Sequence, residues 1–319
     1  MTVVLGDADL DRVPVMQLAL EAIEAAMVAR AGLSLVAPAR HTVGFPGHGD
    51  MTFTIGGSIG SGGVAGFRVY ERFAGPVHRQ LIAVWATDSA RLEGLVVGER
   101  LGNIRTGAIG GVAIRHMSAP DASIVGLVGT GTQARTQLAA AAAVRPLQDV
   151  RVFSRDAAKC ARFAGEMTQQ LDLPIRAVAS ARAAVDGADI VLCATISPTP
   201  VIELDWLKPG VHINTVASKT VGAHEVGVDI AEGADLIATD SPEQTRAYGK
   251  PFFLAGTAAN DRIADLADIV TGKLPGRQSG TGMSLFCSQG LAGTEVFVAA
   301  RVLAAFRAAG LTPIGVDAD

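Results

Sequence analysis

A short glycine-rich turn between an apolar run and a helix constrains the fold of this chain more than any other feature. Residues 123–128 are apolar enough for a buried strand, and Gly-Thr-Gly-Thr-Gln-Ala follows at 129–134. In such a turn Gly129 permits the tight bend, Gly131 lets backbone N–H groups approach a pyrophosphate, and Ala134 lets helix and strand pack closely. The motif predicts a Rossmann-type dinucleotide-binding domain.

The sequence after residue 118 alternates between short apolar runs and helical or turn segments. This alternation is typical of βαβ units and predicts a doubly wound parallel sheet over residues 119–290. The predicted strands are 123–128, 150–153, 175–178, 190–194, 211–216 and 236–239.

The sequence before residue 118 has a different pattern. Apolar residues at helical spacing predict an opening helix over 12–30, and a second helix is expected over 103–116. Between them, strand-like runs predict an antiparallel or mixed sheet at 52–55, 64–73, 81–87 and 92–97. A long apolar helix over 285–309 is expected to return to this part. We therefore predict a second, α+β domain formed by residues 1–118 and 291–319.

Charge and composition narrow the class of partner. The 319 residues carry a formal net charge of -4 and contain no block of like charges, so the chain has no electrostatic footprint for nucleic acid or a membrane surface. Its apolar runs are too short for a membrane span, and its first residues do not resemble a secretory signal. We expect a cytoplasmic protein whose partner is a small molecule.

The cysteines and histidines give no indication of a metal site. Cys160, Cys193 and Cys287 are odd in number and far apart, which fits neither a disulfide framework nor a zinc site. We expect reduced thiols and no metal.

The residues after the second predicted strand bear on the choice of cofactor. NAD-specific domains usually place a carboxylate there for the ribose 2′-hydroxyl, whereas this chain has Ser154 and Arg155, which suit a 2′-phosphate. NADP(H) is therefore favoured. Asp156 keeps NAD(H) possible, because a shifted loop would bring its carboxylate to the ribose.

Several separate motifs show that the chain resembles the ornithine cyclodeaminase and mu-crystallin family along nearly its whole length. Besides the glycine turn, the matching segments are 105–108, 189–195, 208–216, 239–244 and 272–277. The resemblance implies a homodimer and a catalytic cleft between two domains. It also implies that residues 1–118 and 291–319 serve substrate binding and dimerisation. Cofactor contacts are implied for Gly129, Thr130, Gly131, Thr132, Gln133, Ala134, Ser154, Arg155, Thr195 and Val216.

The resemblance also assigns substrate residues, with three departures. Arg40 and Arg105 match arginines that hold a substrate carboxylate, and Arg68 falls where the family commonly has lysine. Lys219 replaces the aspartate that handles the side-chain amine in cyclodeaminases, and Cys287 replaces a further lysine. Arg68 and Lys219 are the candidate catalytic residues. Arg40 and Arg105 could instead form salt bridges between the domains, and Lys219 could be a solvent-exposed charge.

These residues favour an NADP(H)-dependent imino-acid reductase or amino-acid dehydrogenase acting on a small, carboxylate-bearing substrate, with Lys219 or water handling the proton. One alternative is a cyclodeaminase that uses bound NAD. Arg40 and Arg105 favour this alternative, whereas Lys219 and Arg155 oppose it. Another is a mu-crystallin-like protein that binds the cofactor without turnover.

Overall fold

The computed structural model of the chain describes residues 2–75, 78–247, 249–277 and 280–314. The chain divides into two compact units, Met1–Arg105 with Leu291–Asp319, and Thr106–Gly290. We refer to them as the first and second units. The predicted boundary after residue 118 differs from this division, which groups residues 106–118 with the second unit.

Strands dominate the first unit, whereas helices and strands alternate through most of the second. The helices are α1 (Val15–Ala31), α2 (Arg100–Met117), α3 (Thr132–Val144), α4 (Ala157–Leu171), α5 (Ala181–Val185), α6 (Val228–Gly233), α7 (Pro242–Ala247), α8 (Leu266–Val270) and α9 (Thr294–Ala308). The strands are β1 (Val3–Leu5), β2 (Leu35–Val36), β3 (His41–Phe45), β4 (Gly49–Ser58), β5 (Val64–Glu71), β6 (Gln80–Ala86), β7 (Leu92–Gly98), β8 (Ile124–Val128), β9 (Asp149–Phe153), β10 (Ile175–Ala177), β11 (Ile190–Cys193), β12 (His212–Thr215), β13 (Lys219–Thr220), β14 (Ala223–His224), β15 (Leu236–Thr239), β16 (Ile263–Asp265) and β17 (Ser284–Cys287). Helix α2 continues across the boundary between the units. None of the helices in the described ranges is both long and apolar enough to cross a membrane.

The first unit contains a seven-stranded sheet of order β1-β7-β6-β5-β4-β2, with β3 paired to β4. All pairs are antiparallel except β1 with β7, so the predicted mixed sheet is confirmed. Gly66 and Gly94 lie in one cross-strand row beneath α9. A Cβ at Gly66 would lie 3.2 Å from the Val296 side chain, and one at Gly94 would lie 2.6 Å from that of Leu303. The small residues therefore let α9 pack directly on this face.

The second unit is a doubly wound α/β domain, as predicted. Its main sheet has eight strands, all parallel, in the order β10-β9-β8-β11-β12-β17-β15-β16, while β13 and β14 form a separate antiparallel pair. Alternate residues of β11 belong to different hydrophobic clusters, with Val191 in one and Leu192 in the other. Both faces of the sheet are therefore covered, as parallel sheets require.

A buried polar network fixes the second half of α2 on this sheet. His212 bonds to the Ser284 hydroxyl at 2.9 Å and to the Asn214 side-chain oxygen at 2.8 Å, and Asn214 donates to the carbonyl of Gly110 on α2 at 3.1 Å. The Ser284 hydroxyl lies 2.9 Å from the carbonyl of Met117, at the end of α2. Complete burial lowers the pKa of His212 to about 3, so the ring is neutral.

The predicted helix over 285–309 is wrong in its first part. Ser284–Cys287 forms β17, which lies fully buried between β12 and β15. Gly290 and Gly293 then adopt φ values of 75° and 81°, and α9 begins at Thr294. Hydrophobic periodicity alone does not distinguish a short buried strand from a buried helical turn.

Candidate functional site

A large pocket lies at the carboxyl ends of the central strands of the second unit. The chain passes from β8 to β9 on one side and later returns to β11 on the other, so this is the topological switch point where α/β sheets bind ligands. The pocket has a volume of about 950 Å³. Its lining comes from the segments after β8, β9, β11 and β12, at residues 128–133, 153–156, 194–197 and 216–218, with Lys159, Ala181, Thr199 and Val201.

The glycine turn after β8 forms one wall of this pocket. Gly129 has φ 115°, and a Cβ there would lie 2.2 Å from the Ala194 carbonyl oxygen, so only glycine fits. A Cβ at Gly131 would meet no atom within 4 Å and would project into open space. Gly131 caps α3 without a side-chain hydrogen bond, which leaves the first N–H groups of the helix for an anionic ligand. The turn therefore fits a dinucleotide pyrophosphate.

Ala134 differs from the other predicted cofactor residues because it does not line the pocket. Its side chain is fully buried in the core beneath α3. The turn residues from Gly129 to Gln133 do line the pocket, as do Ser154, Arg155, Thr195 and Val216.

The segment after β9 brings positive charge to the pocket. Ser154, Arg155 and Asp156 line it, together with Lys159 on the first turn of α4. The Asp156 carboxylate caps α4 by accepting a 2.9 Å hydrogen bond from the Lys159 backbone N–H. Lys159 was missed in the sequence analysis, although its place in the first turn of a helix that follows Arg155 is a usable signal. Two cations thus share this part of the pocket, while the nearby carboxylate is engaged with the backbone.

Glu225 supports the opposite wall and was also missed. Its buried carboxylate accepts five hydrogen bonds. One oxygen accepts from the Thr195 N–H at 2.5 Å and the Thr195 hydroxyl at 2.8 Å. The other accepts from the Thr215 hydroxyl at 3.0 Å, the Val216 N–H at 3.2 Å and the Ala217 N–H at 2.9 Å. Thr195, Val216 and Ala217 all line the pocket.

Lys219 lies just beyond the pocket wall. Its side chain is buried, and its ammonium donates a hydrogen bond to the carbonyl oxygen of Ala217, so Lys219 is not a solvent-exposed charge. The pKa of the Cys287 thiol is raised to about 12, mainly by burial. The Lys219 ammonium opposes this shift, and the Asp240 carboxylate adds to it. Cys287 is therefore a neutral thiol beside a lysine.

The three predicted substrate arginines belong to one charge cluster in the first unit. Arg68 donates to a Glu295 carboxylate oxygen at 3.0 Å, and Arg105 donates to the same oxygen. Burial alone would raise the pKa of Glu295, but the guanidinium groups of Arg105, Arg68 and Arg40 lower it to about 2. Two of the arginines therefore form salt bridges to one buried carboxylate.

The Arg68 side chain is held from several directions. Its Nε donates to Gln80 at 2.9 Å, and its guanidinium lies 4.3 Å from the centre of the Tyr70 ring. A Cβ at Gly102 would lie 2.6 Å from the Arg68 Nη2 atom, so a larger residue would displace the guanidinium. Sequence reasoning missed Glu295 and Gln80. The signal for Glu295 would have been that it is the only acidic residue of a largely apolar helix.

Within the described residues, no group of three or more His, Cys, Asp or Glu side chains could hold a metal ion.

The chain is similar in sequence to one known protein family. The sequence pattern of the ornithine cyclodeaminase/mu-crystallin family matches residues 71–308. This chain belongs to that family. The matched range contains the glycine turn, Arg105, Lys219 and Glu295, whereas Arg40 and Arg68 precede it.

Individual relatives within the family are similar to different extents. A Delta(1)-pyrroline-2-carboxylate reductase of Bacillus cereus (strain ZK / E33L) is 32% identical over 209 residues, or 64% of each chain. An ornithine cyclodeaminase of Agrobacterium fabrum (strain C58 / ATCC 33970) is 31% identical over 191 residues, 59% of this chain and 52% of that one. The matches thus span between half and two thirds of these relatives' lengths.

A solved structure of Thermococcus litoralis Delta(1)-pyrroline-2-carboxylate reductase, in complex with NADH and L-proline, is similar over 97% of this chain and 99% of that one. The two are 26% identical, with a TM-score of 0.87.

Proposed function

We propose that this chain is a nicotinamide-dinucleotide-dependent oxidoreductase that acts on the C=N bond of a small carboxylate-bearing imino acid or on the amine of the corresponding amino acid. The observation that carries the proposal is the switch-point pocket, whose open glycine turn fits a pyrophosphate. The T. litoralis reductase, which holds NADH and L-proline, supports both the cofactor class and the substrate class.

NADP(H) is the favoured cofactor. Arg155 and Lys159 line the same part of the pocket, where two cations and the Ser154 hydroxyl suit a 2′-phosphate. The carboxylate that would otherwise suit a ribose hydroxyl belongs to Asp156, and it caps α4 instead. Within the proposed class, the preference for NADP(H) is thus a feature of this chain's own residues.

The arginine cluster is the proposed anchor for the substrate carboxylate. The planar donors of guanidinium groups match the two oxygens of a carboxylate. Glu295 holds Arg68 and Arg105 in fixed positions before a substrate arrives. Such preorganisation reduces the entropy that binding would otherwise lose.

Lys219 is the proposed proton donor. When bound, the dinucleotide supplies hydride for the carbon of the C=N bond, and the nitrogen then requires a proton. The Lys219 ammonium can provide it, directly or through water, and its bond to Ala217 holds it beside a residue that lines the pocket. Arg68 is the other candidate catalytic residue, in the role of holding the substrate's carboxylate.

A homodimer formed through the first-unit sheet is also proposed. The sheet face opposite α9 carries half-buried or exposed apolar side chains along four neighbouring strands: Phe53, Ile55, Phe67, Val69, Leu81, Trp85 and Leu95. A contiguous apolar face of this kind is typical of a protein interface. A second copy related by a two-fold axis would cover it.

The activity is tested by following NADPH oxidation with a panel of cyclic imino acids and of 2-oxo acids mixed with ammonia or methylamine. We expect turnover with at least one carboxylate-bearing imine, and a marked loss of activity on Arg105→Ala or Arg40→Ala. Conversion of L-ornithine to L-proline and ammonia should be negligible, because the Lys219 charge repels the substrate ammonium by about 1 kcal/mol in water and by more in a closed site. Efficient ammonia release would instead establish a cyclodeaminase, and tight NADPH binding without any turnover would establish a binding protein.

A further inference from the structure

We infer that Glu225 is a positioning residue that shapes the cofactor pocket without touching its contents. The inference rests on the proposed dinucleotide binding. Glu225 is fully buried, and its carboxylate bonds to the ends of two neighbouring strand segments that face the pocket.

The contacts of Glu225 join three parts of the pocket wall. Its carboxylate links Thr195, which follows β11, to Val216 and Ala217, which follow β12. Its backbone carbonyl accepts a 2.9 Å hydrogen bond from the N–H of Val201. One residue therefore fixes the backbone at four positions that line the pocket.

The hydrogen bonds extend one step further through Thr195. The Thr195 hydroxyl donates to Glu225 and accepts from the Ser197 N–H at 3.1 Å. Ser197 also lines the pocket. Loss of the carboxylate would therefore release the turn after β11 as well as the strand end.

The chemistry of the five donors requires a carboxylate. Three of them are backbone N–H groups, which cannot rotate away, and both carboxylate oxygens receive at least one. A glutamine has one oxygen and one NH₂ group, so in either orientation its NH₂ group would face a backbone N–H. Glu225→Gln therefore leaves at least one buried donor without an acceptor, although the size of the side chain is unchanged.

Asp189 provides a matched control in the same unit. It precedes β11, whereas Thr195 follows it, so the two sites lie at opposite ends of one strand. Its carboxylate also accepts backbone hydrogen bonds, from Ser123 and Ile124 at 2.8 Å each. Asp189→Asn also replaces a carboxylate with an amide, away from the pocket, and it additionally removes the ion pair between Asp189 and Lys208.

The test compares NADPH dissociation constants, measured by fluorescence titration, for the unmodified protein and these variants. We expect Glu225→Gln to weaken binding by about tenfold or more, and Asp189→Asn to leave it within about twofold. Thr215→Val removes one donor to Glu225 from a residue that does not line the pocket, and it should weaken binding by a smaller factor. If Glu225→Gln does not fold, the NADPH dissociation constant of Thr215→Val tests the inference in its place.

Hydrogen exchange in the cofactor-free protein gives a second readout. Glu225→Gln, or Thr215→Val in its place, should speed amide exchange at Thr195, Val216 and Ala217, with no such change in Asp189→Asn. Equal weakening of NADPH binding in the Glu225 and Asp189 variants, or unchanged binding and exchange in folded Glu225 variants, would overturn the inference. If the unmodified protein binds neither NADPH nor NADH, the proposed function fails while the exchange measurement still tests Glu225.

Discussion

The proposed preference for NADP(H) depends on single residues. Arg155→Ala removes a charge-assisted contact to a 2′-phosphate, worth about 1.5 to 3 kcal/mol, and should raise the dissociation constant of NADPH by about 10- to 100-fold. NADH lacks that phosphate, so its affinity should change little. Titration of both cofactors measures the difference.

Arg162 offers a control for the loss of charge. It is exposed on α4 but does not line the pocket, so Arg162→Ala should alter neither affinity beyond about twofold. Equal affinities of the unmodified protein for NADPH and NADH would contradict the assignment to Arg155.

A single carboxylate also organises the arginine cluster. Glu295→Gln removes the anion shared by Arg68 and Arg105, so both buried guanidinium groups lose this ion pair. We expect the free energy of unfolding to fall by about 3 to 5 kcal/mol, as when one partner of a buried pair is removed. Denaturant unfolding measures this loss of stability.

The same variant separates substrate from cofactor binding. Glu295→Gln should raise KM for the imino acid, because the arginines lose their orientation, and should leave the NADPH dissociation constant unchanged. A normal KM in a folded variant would show that the cluster does not anchor the substrate.

Helix packing in the second unit depends on a glycine of α2. A Cβ at Gly107 would lie 2.5 Å from the Thr136 carbonyl oxygen on α3. The two helices would have to move apart to relieve this clash, because the contact is with backbone. Gly107→Ala should therefore destabilise the protein by about 1 to 3 kcal/mol, as overpacking does. Thermal or denaturant unfolding measures the change.

Gly165 of α4 is the matched control, because a Cβ there would meet no atom within 4 Å. Gly165→Ala should stabilise the protein by about 0.5 to 1 kcal/mol through helix propensity alone. Equal effects at the two glycines would show that α2 and α3 are not in close contact at Gly107.

At the scale of the whole molecule, we expect a dimer. Sedimentation at micromolar concentration should give twice the chain mass, and Ile55→Glu should shift the protein towards monomer by placing a charge on the apolar sheet face. Val28→Glu on α1 is the control, because Val28 is 54% exposed and Ile55 is 57% exposed. A monomeric unmodified protein would exclude this interface.

Global stability should fall in mild acid. The folded pKa of His212 is about 3 against an ordinary value of 6.5, so the unfolded state binds more protons between these pH values. The free energy of unfolding therefore decreases as pH falls below 6.5, by at most about 1.4 kcal/mol per pH unit from this residue. Glu295, with a pKa of about 2 against 4.5, adds a further loss below pH 4.5. Denaturant unfolding at several pH values measures both.

His212→Gln isolates the histidine contribution. Its stability should vary less between pH 6.5 and 5 than that of the unmodified protein, whatever its absolute value. An identical slope in the two proteins would exclude His212 as the cause.

The sequence by itself determined the doubly wound sheet, the mixed sheet before it and the family of the chain. These follow from local signals, because the glycine turn and the period of the apolar residues act over a few neighbouring positions. The same signals placed most of the predicted cofactor residues, from Gly129 to Val216, in segments that the structure brings to one pocket.

Only the tertiary structure decided what depends on neighbours distant in sequence. Residues 284–287 form a strand because β12 and β15 pair with them on either side. Their own apolar pattern does not predict these pairings. Glu295 lies 190 residues from Arg105, and Glu225 lies 30 residues from Thr195, so neither carboxylate could be paired from spacing. Buried charges are tolerated only where folding supplies their partners, and those partners are a property of the fold.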